Sequence, residues 1–94
     1  MRTLLVAFLF SCLLACAAMI DSKSTQLQQG MSEADVVAKI GKPNSISLNT
    51  CGTNNPSGPW TCKQYKYSAG GRWLLVYFSQ SSGSGWLVNN WRAL

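Results

Sequence analysis

Four cysteines carry most of the covalent chemistry that this sequence offers. They are Cys12, Cys16, Cys51 and Cys62. A thiol can be acylated, oxidised to a disulfide or bound to a metal, and each outcome needs its own setting. The first two cysteines lie in an uncharged, largely apolar segment, whereas the last two flank a loop of turn-forming residues. Two different chemistries are therefore expected.

The segment at residues 3–18 has the features of a secretory signal. It follows the basic Arg2, carries no charge and ends in small residues. It is shorter than the ~20 apolar residues that a membrane-spanning helix needs. A cleaved signal peptide at residues 1–15 is therefore predicted, and with it an exported mature protein.

Residues 13–16, with the sequence LLAC, resemble the lipobox of bacterial lipoproteins. The resemblance implies that the Cys16 thiol is alkylated with diacylglycerol and that the chain is cut just before it. Stable membrane attachment needs more than one acyl chain, which a diacylglyceryl cysteine with an amide-linked palmitate-type chain provides. Two alternatives are a box ending at Cys12, where the bulky Phe10 fits less well, and an ordinary signal peptide that contains cysteines.

Cys51 and Cys62 are then the two cysteines left in the exported domain. An isolated pair in an oxidising compartment most simply forms a disulfide. The alternatives are a reactive thiol and a metal site, but a metal would need further ligands and the sequence has no His. The predicted disulfide closes a loop of about a dozen residues, which stabilises a small domain by roughly 3 kcal/mol.

Two helices are predicted after the lipidated cysteine. Residues 16–23 are small and polar and are interpreted as the lipidated end and tether, and residues 24–29 as a short helix. The clearer helix begins at the N-cap Ser32, has acidic residues in its first turn, and ends where Gly41 suits a left-handed C′ position.

The remainder of the sequence has the pattern of strands. Three strands, around KQYKY, RWLLVYFSQ and WLVNNWRAL, are joined by Gly-containing turns and indicate an antiparallel meander. The segment NSISLNT could add a short edge strand. We predict an α+β fold for residues 24–94, with two N-terminal helices packed on one face of a three-stranded antiparallel sheet.

This order of segments resembles the SmpA/OmlA (BamE-like) small outer-membrane lipoproteins. The segments that carry the resemblance are LQQGMSEADVVAKIGKPNSI, QYKY, WLLVYF and WLVNNW. The resemblance implies an ααβββ fold, which β-lactamase inhibitor proteins share, and a domain on the periplasmic side of the outer membrane. It also implies a supporting role in envelope integrity, with the β-barrel assembly machinery as one possible partner. The loop closed by Cys51 and Cys62 departs from the pattern of the family.

Catalysis is not expected of this sequence. General acid–base chemistry at neutral pH usually uses His or a carboxylate with a shifted pKa. Glu33 and Asp35 already have a structural role, because acidic side chains stabilise the N-terminus of the predicted helix. No Ser lies in a Gly-x-Ser-x-Gly turn. No enzyme activity, cofactor or bound metal is predicted.

Binding is the remaining class of function. The candidates for partner contacts lie in the loop that the predicted disulfide between Cys51 and Cys62 closes. They are Trp60, Asn54, Asn55 and Pro59. A rigid aromatic side chain at the rim of a closed loop is a good anchor for a protein partner. The alternative is that Trp60 only begins a strand and packs inward.

The basic residues suggest a weaker possibility. The chain carries a formal charge of +5, but its Lys and Arg residues are scattered, so no nucleic-acid partner is expected. Lys63, Lys66 and Arg72 could together form a patch for anionic lipid headgroups. The alternative is an ordinary solvated surface.

Two functional hypotheses follow. The first is a lipid-anchored periplasmic module, on the outer membrane, that supports outer-membrane assembly or envelope integrity through protein–protein contacts. The second is an inhibitor or ligand-capturing lipoprotein that uses the loop between Cys51 and Cys62.

Overall fold

A computed structural model describes residues 18–54, 56, 58–81, 83 and 85–94. In this part of the chain, two helices precede four strands. The elements are α1 (residues 18–25), α2 (Glu33–Ile40), β1 (Ser45–Cys51), β2 (Trp60–Ala69), β3 (Arg72–Ser81) and β4 (Gly85–Ala93). The strands form one antiparallel meander in the order β1-β2-β3-β4.

The predicted three-stranded sheet is wrong, because β1 adds a fourth strand. It pairs with β2 along its whole length, from Ser45 opposite Lys66 to Cys51 opposite Trp60. Nearly every residue of β1 is exposed, so it lacks the buried face that makes a strand stand out in a sequence. Pairing with β2 and the disulfide at its end hold this strand in place.

The first helix also lies earlier than the sequence predicts. Residues 18–25 are helical, and the predicted helix at 24–29 is mostly a turn. Ile20 is fully buried in the core, and Leu27 is buried just beyond α1. Residues 18–23 therefore pack against the domain and do not form a free tether. The predicted signal peptide and Cys16 lie outside the described residues.

Helix α2 confirms the predicted boundaries. The Ser32 hydroxyl accepts a hydrogen bond from the Asp35 backbone N–H, and the Asp35 carboxylate accepts one in return from the Ser32 N–H, which together make a capping box. At the other end, Gly41 has a φ of 90°, which favours glycine. Val36 and Ile40 are the buried residues of this helix.

The helices cover one face of the sheet, and the core lies between them. Residues of α1 and α2, of the segment after α1 and of strands β2, β3 and β4 form this core. They are Ile20, Leu27, Val36, Ile40, Tyr65, Tyr67, Leu74, Val76, Phe78 and Val88. The alternate residues of β3, such as Trp73 and Tyr77, point to the other face, as the alternating pattern predicted. Within the described residues, no helix is long and apolar enough to cross a membrane.

Candidate binding surfaces

The face of the sheet opposite the helices, here called the open face, carries a polar row. Gln64 of β2 lies between Ser47 of β1 and Tyr77 of β3, and Tyr77 lies opposite Asn90 of β4. Directly opposite residues of an antiparallel pair point to the same face. The row therefore crosses all four strands.

Hydrogen bonds order the β1 side of this row. The side-chain amide of Asn49 donates to the Gln64 Oε1 at 3.2 Å and to the Ser47 Oγ at 3.0 Å. Because one amide supports two neighbours, the orientation of the Gln64 side chain is restricted. Its own NH₂ group remains a donor that can face a ligand.

A β-bulge shapes the β4 side of the row. The register between β3 and β4 shifts at Tyr77 and Phe78, which pair with Asn90 and Val88 and leave Asn89 as the additional residue. The Asn90 side-chain amide donates to the Asn89 Oδ1 at 2.8 Å. Bulges commonly redirect side chains next to binding sites, and here the bulge brings two amide side chains together.

Trp60 lines a groove on the open face. The groove has a volume of about 580 Å³ and is lined mainly by amide and aromatic side chains together with Arg92. Gly52 lies against the Trp60 indole so closely that an added Cβ would be 2.7 Å from the Nε1 atom. The disulfide from Cys51 to Cys62, with 5.8 Å between the Cα atoms, fixes the strands beside this contact.

The structure separates the four predicted partner-binding residues. Trp60 begins β2, is half-buried, lines the groove and lies outside the core cluster. Asn54 and Pro59 are exposed but do not line the groove, and Asn55 lies outside the described residues. No local pattern in the sequence singles out Asn49, Gln64 and Asn90, because only the strand register brings them close to Trp60.

The three predicted lipid-contacting cations also lie apart. Lys63 pairs with Glu33 at 3.0 Å, and Arg72 pairs with Asp21, both on the helix side. Lys66 lies on the open face, where its Nζ is 3.6 Å from the centre of the Trp73 ring. These residues therefore do not make one patch in the described structure.

The open face has a one-sided distribution of charge. Its charged residues in the described structure are Lys66 and Arg92, which lie on either side of Leu75 in the strand register. The three acidic residues of the chain all lie in the helices: Asp21, Glu33 and Asp35. Among the described residues, the side chains of the open face are consequently positive and include no Asp or Glu.

The two edges of the sheet differ in their protection. The outer edge of β4 is partly covered, because Gly30 N–H donates to the Val88 carbonyl and the Val88 N–H donates to the Met31 carbonyl, both at 2.8 Å. No comparable segment covers β1 in the described structure. On that edge Ile46 and Leu48 leave 56% and 63% of their surface exposed.

The core tyrosines act as structural donors. Burial, with a contribution from the hydrogen bond to Glu33, raises the pKa of Tyr65 well above its usual value of 10. Burial alone raises the pKa of Tyr67 to about 12, and its hydroxyl donates to the Gly41 carbonyl at 2.8 Å. Both phenols stay protonated at neutral pH. Among the described residues, no cluster of three or more His, Cys, Asp and Glu could hold a metal ion.

Comparison with protein-family models, with curated proteins and with solved structures found no match to this chain. The sequence motifs and two surfaces of the described structure remain as indications of function. These surfaces are the open-face groove and the exposed edge of β1.

Proposed function

We propose that this chain is a lipid-anchored binding module of the bacterial cell envelope, which supports outer-membrane assembly or envelope integrity by binding another envelope protein. The observation that carries the proposal is the uncovered edge of β1, with its exposed Ile46 and Leu48. The anchor in the proposal comes from the lipobox at residues 13–16.

The β1 edge suits an added strand. An edge strand presents unpaired backbone N–H and C=O groups, and soluble proteins normally protect such edges with charges, prolines or a covering segment. The β1 sequence SISLNTC contains no charge and no proline. An extended segment of a partner can pair with this backbone, while its apolar side chains contact Ile46 and Leu48. The uncharged edge favours a partner segment that is itself uncharged.

The position of α1 supports an arrangement close to the membrane. Asp21 of this helix pairs with Arg72, which lies just after the turn between β2 and β3. Trp60 begins β2, a strand of ten residues that is about 30 Å long. A lipid on Cys16 would hold α1 near the membrane, and with it the β2–β3 turn that α1 contacts. The disulfide, at the opposite end of β2, would then lie farther from the membrane, and β1 would run away from the membrane towards it.

The first experiment tests the anchor and the edge in cells that lack the gene. The Cys16→Ala protein and an Ile46→Lys/Leu48→Lys protein should both fail to restore envelope integrity, measured as resistance to detergent and to large antibiotics. Leu94→Lys is the matched control, because Leu94 is also an exposed apolar residue, at 52%. Full rescue by Cys16→Ala would refute the anchor, and full rescue by the edge variant would refute the edge.

The second candidate function is inhibition or ligand capture by the loop between Cys51 and Cys62. The favouring observation is the close fit of the Trp60 ring on Gly52, which holds an aromatic side chain at the base of this loop. Replacing residues 53–59 with a Gly/Ser linker together with Trp60→Ala, which keeps the backbone pairing of β1 with β2, separates the two candidates. The loop candidate predicts loss of rescue, whereas the edge candidate predicts that rescue persists.

A further inference from the structure

We infer that the open-face groove binds a carboxylate-bearing polysaccharide chain of the cell envelope. The site comprises six side chains from all four strands. They are Asn49, Gln64, Trp60, Tyr77, Asn90 and Arg92. This inference goes beyond the proposed function, because it concerns the face of the sheet and a ligand other than a protein.

The polar lining matches the hydroxyl groups of sugars. A hydroxyl both donates and accepts hydrogen bonds, and so does a side-chain amide. Three such amides lie close together on the open face. Gln64 and Asn90 are in the polar row, and Asn49 is in the row beside it. The hydrogen bonds of Asn49 to Ser47 and Gln64, and of Asn90 to Asn89, already orient all three amides before a ligand arrives. Preorganisation of this kind lowers the entropic cost of binding.

The two aromatic rings supply the apolar part of the site. Trp60 and Tyr77 are half-buried, so part of each ring remains accessible from the groove. An aromatic face covers apolar C–H surface, such as that of a sugar ring, and its polar atom can still hydrogen bond. Protein hot spots, by contrast, lie in well-packed pockets that are fully desolvated in the complex, whereas this groove is open and lined mainly by polar side chains. This shallow polar groove is therefore better suited to a glycan than to a protein.

The charge of the open face selects an anionic glycan. Arg92 lines the groove, and Lys66 lies in the adjacent row of the same face. No Asp or Glu side chain of the described residues lies on this face, because these side chains are in α1 and α2. A guanidinium group binds a carboxylate with paired N–H donors. A carboxylate-bearing sugar therefore complements both the charge and the hydrogen-bonding groups.

The test is calorimetric titration of the folded, disulfide-bonded protein with hexagalacturonate. Its methyl ester is the neutral control with the same sugar rings, and poly-L-glutamate of matched charge is the control for an acidic polypeptide. We expect hexagalacturonate to bind. Esterification of the ligand, Arg92→Gln and Trp60→Ala should each lower the affinity about tenfold. Trp86→Ala is the matched variant on the helix side of the sheet, beside Lys63, and should leave the affinity unchanged.

Three outcomes would overturn the inference. They are no binding of hexagalacturonate, equal binding of the methyl ester, and binding of poly-L-glutamate that is as tight and does not depend on Trp60. Near-ultraviolet circular dichroism of each variant establishes that it is folded. A failure of the proposed function can be distinguished from a failure of this inference, because the edge variant Ile46→Lys/Leu48→Lys leaves the groove residues unchanged.

Discussion

The Tyr65 hydroxyl donates a hydrogen bond to the Glu33 Oε1 at 2.6 Å, and this contact joins β2 to the first turn of α2. The Lys63 Nζ lies 3.0 Å from the same oxygen. Glu33 therefore serves the helix N-terminus and also anchors the helix to the sheet. The sequence assigned this residue only the first of these roles.

Replacing Tyr65 with Phe should destabilise the domain by about 1–2 kcal/mol, because the hydrogen bond to a carboxylate is lost while the ring remains in the core. Urea unfolding followed by tryptophan fluorescence measures this change. Tyr77→Phe is the matched control, because Tyr77 lies on the open face, and a change of less than ~0.5 kcal/mol is expected there. Equal effects of the two substitutions would show that the contact with Glu33 contributes nothing.

Stability should fall above pH 10 because of Tyr67. Its folded pKa of about 12 exceeds the ordinary value of 10, so between these values the unfolded chain releases a proton that the folded chain keeps. The free energy of unfolding then decreases with rising pH, by up to about 1.4 kcal/mol per unit for one such group. The stability from this group is fully present below pH 10.

The variant Tyr67→Phe checks the sign of this effect. It lacks the hydrogen bond to the Gly41 carbonyl, so it should be about 1 kcal/mol less stable at pH 7. It should also lose less stability than the unsubstituted protein between pH 10 and 12. Parallel pH profiles for the two proteins would contradict the raised pKa.

Removing the disulfide should cost about 2–4 kcal/mol. The bond joins residues 11 positions apart in the sequence and ties β1 to β2. Thermal unfolding of the oxidised protein, the reduced protein and Cys51→Ala/Cys62→Ala separates the loss of the crosslink from the loss of packing at Cys62, which is fully buried. A reduced protein within 1 kcal/mol of the oxidised one would show that strand pairing alone holds β1.

Ile20→Ala should destabilise the domain by about 2–5 kcal/mol, because Ile20 is completely buried among core residues. The neighbouring Met19 is 46% exposed, so Met19→Ala is the control and should change stability by less than ~0.5 kcal/mol. Chemical denaturation gives both values. If Ile20→Ala matched the control, residues 18–23 would act as a tether after all.

Some elements are predictable because their signals are local. The capping box of Ser32 and Asp35 and the glycine after Ile40 define α2 within a few residues of the sequence. The alternation of β3 assigns its inner and outer faces. The pairing of Cys51 with Cys62 follows from the cysteine count and the predicted export.

Other features depend on contacts between distant residues. The burial of Ile20 arises from its packing under a sheet that forms later in the chain, so the segment around it has the composition of a linker. Strand β1 exposes the side chains that would otherwise mark it as part of the sheet. The groove needs the β4 bulge at Asn89 and the exact register of four strands, which no short segment encodes.

The most direct test of the proposed function is photo-crosslinking in living cells, with a photoreactive amino acid placed at Ile46, Leu48, Asn54 or Leu94 of the full chain. Binding at the β1 edge predicts one and the same protein adduct from the two β1 positions and none from Leu94, which lies outside this edge. It also predicts that the adduct disappears when Cys16→Ala is introduced. An adduct from Asn54 alone would show that the partner contacts the disulfide loop. The absence of an adduct from both β1 positions would contradict the proposal that the partner binds at the β1 edge.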